Sequence, residues 1–93
     1  MTTKISRADA EEKLRDIIAK IQDMQSKEVL ARYKLRGKEL GLEEAGVRAL
    51  SVPINDEFGE YGVAMTPFET QKAETIRDLH NAIWEKIPAQ HRQ

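Results

Sequence analysis

Apolar or small residues recur early in the chain as Ala10, Leu14, Ile17, Ile21, Met24, Ala31 and Leu35, with Glu28 as the one break. This 4-3-4-3 spacing is a heptad seam, the pattern by which one helix packs against another. Across 7–40 there is no proline, and the one glycine is Gly37. The seam therefore predicts a single long helix over about 7–40. Ser6 suits its N-cap, with Asp9 three residues on, and Asp9, Glu11 and Glu12 favour the positive end of the helix dipole. Gly41 can take the left-handed conformation that closes a helix. Val29, Leu30 and Tyr33 lie off the seam yet cluster at helical spacing, which suggests contacts on two sides.

A second helix is predicted over about 67–87. Thr66-Pro67-Phe68-Glu69 is a capping box with proline at the first helical position. Ile76, Leu79, Ile83 and Ile87 form its apolar stripe, extended by Phe68 and Ala73, and Pro88 ends it. The polar tail 88–93 is expected to fray. The connection 41–66 has three readings. Residues 42–50 have the spacing of a short helix. Alternation of Leu50, Val52, Ile54 and of Tyr61, Val63, Met65 reads as a small hairpin turning at 55–59, with Pro53 on an edge. An ordered irregular loop is the third. The expected fold is thus mainly α and a single small domain: a long N-terminal helix and a shorter C-terminal helix packed antiparallel.

At 1.5 Å per residue these helices span about 50 and about 30 Å, leaving about 20 Å of the first uncovered. That excess predicts a homodimer unless the connection folds back over it. Composition points the same way. The chain has 93 residues, 40% of them apolar, with only Tyr33, Phe58, Tyr61, Phe68 and Trp84 as aromatics. A thin core in a small domain is often completed by a partner.

Charge is unevenly spread. Lys27, Arg32, Lys34, Arg36 and Lys38 face only Glu28 within 27–38, while 39–62 holds Glu39, Glu43, Glu44, Asp56, Glu57 and Glu60 against Arg48. A basic block beside an acidic one, at net charge −1, points to self-association or internal neutralisation as readily as to nucleic acid. There is no cysteine, which excludes disulfides and thiol chemistry. No apolar leader follows the N-terminus and no run is long enough to span a membrane, so a cytoplasmic protein without a membrane partner is expected.

Catalytic signatures are missing. Ser6, Ser26 and Ser51 lie in no nucleophile elbow, and no phosphate-binding glycine loop occurs. His80 and His91 are too far apart for a helical metal pair and read as surface histidines. Asn55, Asp56, Glu57 and Glu60 lack the spacing of a calcium loop. Residues 40–47 resemble the turn of a helix-turn-helix, but Ser51-Val52-Pro53 leaves no room for a recognition helix. Leu14, Arg15, Ile18, Ile21 and Arg32 fall at spacings that loosely resemble the first helix of small all-helical chorismate mutases. Gln22, Gln25, Glu28 and Glu43 depart from that pattern, and no family is assigned.

The function expected from these features is that of a non-enzymatic protein-binding regulator or adaptor, including an inhibitor of a larger complex. Neither cofactor nor metal is expected. Its expected contact residues are Leu30, Tyr33, Lys34, Arg36 and Lys38 from the basic segment, Asp56, Glu57 and Phe58 from the acidic loop, and Trp84. The alternative is a nucleic-acid-binding protein using 27–38.

Overall fold

A computed structural model describes residues 3–93. Helix α1 (Arg7–Gln22) is followed by a 3-10 turn (Ser26–Glu28) and an irregular stretch to residue 43. Helices α2 (Glu44–Ala49) and α3 (Ser51–Phe58) join through Leu50, and a 3-10 turn follows (Gly59–Tyr61). Helices α4 (Pro67–Lys72) and α5 (Ile76–Lys86) lead to a last 3-10 turn (Ala89–His91). The mainly α expectation holds. Strand-like pairing among the described residues is confined to two isolated bridges, Ile5 with Arg92 and Lys34 with Thr75, and no hairpin forms. The radius of gyration is 12.4 Å, against about 12 Å for a folded chain of this length.

The long helix is the main correction. Ser6 caps α1 as expected, its hydroxyl accepting from Asp9 N–H at 3.1 Å. The helix then ends at Gln22, where Asp23 turns left-handed at φ 53° and the N–H groups of Asp23 and Met24 both return to the Ala19 carbonyl. Aspartate is among the few side chains that tolerate this conformation. Asp23 and Ser26 also hold helix weakly, because their side chains compete for backbone partners. Ser26 hydroxyl bonds the Asp16 carboxylate and Gln22 bonds the Leu40 carbonyl, so the chain folds back beside its own first helix. At about 24 Å, α1 has no long overhang, and the length argument for a second chain goes with it.

Residues 29–42 bury Val29, Leu35, Leu40 and Leu42 without forming a helix. Their carbonyls cap another element instead. Tyr33 and Ala31 accept from the Ile76 and Arg77 N–H groups, the unpaired donors at the start of α5, at 3.0 and 2.9 Å. Gly41 is left-handed as expected (φ 65°), but it closes a turn with Gly37 rather than a helix.

The connection resolves as helices. Val47, Leu50, Ile54 and Phe58 are fully buried at i, i+3, i+7 and i+11, one face of a bent helical pair. Val52, which the hairpin reading places with Leu50 and Ile54, is 63% exposed. Pro53 lies in the first turn of α3, where its missing N–H is not needed. Asn55 is no turn residue. Its side-chain amide pairs with Met65 in both directions, donating to the carbonyl at 2.8 Å and accepting from the N–H at 2.6 Å.

The expected last helix is two. The Thr66 capping box forms as read, with Glu69 N–H donating to Thr66 Oγ1 at 3.2 Å and Thr66 N–H to Glu69 Oε1 at 3.0 Å. Ala73 turns extended so that Glu74 and Thr75 can pair with the irregular stretch, and Thr75 restarts the helix with its own capping box. Ile76, Leu79, Ile83 and Ile87 are fully buried as predicted, whereas Phe68 is 63% exposed. The tail is tied down rather than frayed: Ile5 N–H donates to the His91 carbonyl at 2.8 Å and Gln93 N–H to the Ile5 carbonyl at 2.9 Å.

Candidate functional site

The basic segment does not form one surface. Arg36 is committed within the chain. Its Nε and Nη2 each donate to the Glu44 carboxylate at 2.8 Å, and its Nη1 and Nη2 donate to the Ala73 and Gln71 carbonyls at 3.1 and 2.7 Å. The Glu44 hydrogen bond raises the Arg36 guanidinium above its ordinary value, and the same bond holds the Glu44 carboxyl below its own. Arg32 lies 5.5 Å over the Tyr33 ring. Lys34 and Arg36 border a notch with Gly37 and Glu74, while Lys27 borders a different one with Glu11, Glu12 and Arg15. Lys38 is exposed.

Other expected contact residues are also placed by the fold. Phe58 is fully buried and touches no outside surface, because it faces inward from α3. Leu30 and Tyr33 are half-buried, and Tyr33 packs on the core. Trp84 is half-buried beneath two of the chain's own cations, Arg92 at 5.0 Å and Arg7 at 5.8 Å, and its carbonyl accepts from Arg92 Nη2 at 2.8 Å. His80 is buried rather than on the surface. Its Nε2–H donates to the Arg7 carbonyl at 3.0 Å, and burial lowers its pKa, opposed in part by that bond.

Asp56 and Glu57 remain exposed, and they wall a groove that the sequence reading did not assemble. Helix α1 contributes Lys13, Asp16, Ile17, Lys20 and Ile21, spaced i, i+3, i+4, i+7 and i+8 along one face. Helix α3 contributes Pro53, Asp56 and Glu57, spaced i, i+3 and i+4. The groove encloses about 230 Å³. Lys13 Nζ reaches Glu57 Oε2 across it at 3.3 Å. Ile17 is buried beneath, while Ile21 is 48% exposed. Ile21 was visible in the sequence as a seam residue. Its exposure was not, because it follows from α1 ending one residue later.

A larger notch of about 390 Å³ lies on another side of α1, but Ala8 is its one apolar side chain and its Arg15 already pairs with Glu11 at 3.0 Å. The α1–α3 groove joins an exposed aliphatic side chain, Ile21, to charges of both signs. Among the described residues lining it there is neither histidine nor hydroxyl side chain. Among the described residues, no group of three His, Asp or Glu is placed to hold a metal ion, and no helix is long and apolar enough to cross a membrane. Compared with protein-family models, curated proteins and solved structures, the chain matches none.

Proposed function

We propose that this chain is a non-enzymatic binding protein, a regulator or adaptor, that works through protein contact at the α1–α3 groove. The observation that carries the reading is Ile21, an aliphatic side chain half open to solvent in a groove also lined by Lys13, Lys20, Asp56 and Glu57. An apolar centre with a charged rim is the anatomy of a protein interface: the centre supplies affinity and the rim supplies orientation. Nucleic acid is disfavoured, because Arg36 is neutralised by Glu44, and Lys27 and Lys34 border separate notches.

The test compares wild type with Ile21→Asp. A half-exposed position accepts aspartate without unfolding the chain, so the helical circular dichroism and melting profile stay close to wild type. Proteins retained by immobilised wild type are lost on Ile21→Asp. Identical retention by both proteins overturns the reading. So does salt-sensitive binding of labelled DNA or RNA that Ile21→Asp leaves unchanged.

A further inference from the structure

We infer that the occupant of the α1–α3 groove is a second copy of this chain, related by a twofold axis running along the groove. The inference rests on the groove being a protein-contact surface, and it deepens that reading by naming the partner. What argues for a second copy is the sign of the two walls. The α1 wall presents Lys13 and Lys20, and Asp16 between them is engaged by the Ser26 hydroxyl. The α3 wall presents Asp56 and Glu57. Lys13 and Glu57 pair with each other, whereas Lys20 and Asp56 are exposed and form no ion pair among the described residues.

A twofold axis in the contact plane, parallel to the groove, lays α1 of one copy over α3 of the other, and by symmetry the reverse. The α1 wall, with one net positive charge once Asp16 is counted against Lys13 and Lys20, then meets the acidic α3 wall twice, and each unpaired Lys20 gains an Asp56. The same operation brings the two Ile21 side chains together over Pro53. An axis across the groove stacks α1 on α1 and sets lysine against lysine, which like-charge repulsion disfavours. A net charge of −1 leaves little overall repulsion between copies. Such a dimer presents each outer surface twice, which suits an adaptor.

Sedimentation velocity on the full chain over a wide concentration range tests this. Wild type is expected to pass from monomer to dimer as concentration rises, and added salt is expected to weaken the dimer. Lys20→Glu and Asp56→Lys each weaken association by roughly tenfold or more, and the double variant recovers most of the loss because both signs are reversed together. Both positions are exposed, so folding is retained and is checked by circular dichroism. A wild type that stays monomeric throughout overturns the inference, as does a dimer that ignores all three variants. A benzophenone amino acid in place of Val52, beside Pro53, separates this from failure of the groove itself. Adducts between copies support the inference. Adducts only to a different protein overturn it while sparing the groove as a contact surface, and no adduct of either kind overturns both.

Discussion

Arg36 and Glu44 meet in a two-point ion pair, Nε to Oε2 and Nη2 to Oε1, both at 2.8 Å. This pair joins the basic stretch of the sequence to the acidic stretch that follows it. Internal neutralisation, one of the uses that the charge pattern allowed, is realised here. The same guanidinium bonds two carbonyls around the end of α4, so Arg36 holds α2, α4 and the irregular stretch together.

Arg36→Ala is therefore expected to lower stability by about 1–2 kcal/mol, most of it from the main-chain bonds, since an exposed ion pair by itself contributes little. Arg36→Lys restores only a small part, because an ammonium cannot reproduce the guanidinium fork. Urea denaturation of the three proteins reads the difference.

Asp23 sits at φ 53°, so Asp23→Gly removes a left-handed penalty and is expected to leave stability unchanged or raise it by up to about 1 kcal/mol. In an uninterrupted helix over 7–40, the same change would cost about 0.3 kcal/mol, because aspartate is itself a weak helix former. The sign of the shift in melting temperature thus tells the two backbones apart.

Asn55 satisfies both backbone groups of the buried Met65. Asn55→Ala leaves a donor and an acceptor without partners and is expected to cost about 2–4 kcal/mol. Asn55→Asp keeps the acceptor for the Met65 N–H but sets a carboxylate against the Met65 carbonyl, so it recovers part of the loss at most. Equilibrium unfolding in denaturant measures both.

His80 carries a pH dependence. Burial lowers its pKa in the fold, so the folded chain prefers the neutral ring more than the unfolded chain does. Its contribution is fully present above the unfolded value of about 6.5 and is lost as pH falls from there through the folded pKa. Arg7 and Arg15 act in the same direction and Glu11 against it. Between pH 7 and pH 5, wild type should lose more stability than His80→Gln, which has no proton to gain. Equal losses in the two proteins would remove His80 as the source.

Local chemistry was enough to read several features from the chain alone. The caps at Ser6 and Thr66 depend on residues three apart, and the stripe of Ile76, Leu79, Ile83 and Ile87 depends on helical period. Both kinds of signal are complete within a few turns. The buried face of 47–58 is not read from the chain: the helical spacing is followed only to 50, the alternation of Leu50, Val52 and Ile54 points to a strand, and Phe58 is assigned to an outside contact. Val52 separates the two periods only once its exposure is known.

What the tertiary structure alone decided is where the helices stop. Nothing between 7 and 40 forbids a continuous helix except weak preferences at Asp23 and Ser26. The balance is tipped by contacts distant in sequence: Gln22 with Leu40, and Ala31 and Tyr33 with the start of α5. Burying Val29 and Leu35 in the shared core outweighs the helical hydrogen bonds given up, because the unpaired donors of α5 replace them. The groove follows from that same decision. Asp56 and Glu57 were picked out as contact residues from charge. Lys20 and Ile21 were placed opposite them only when α1 ended at Gln22 and α3 formed beside it.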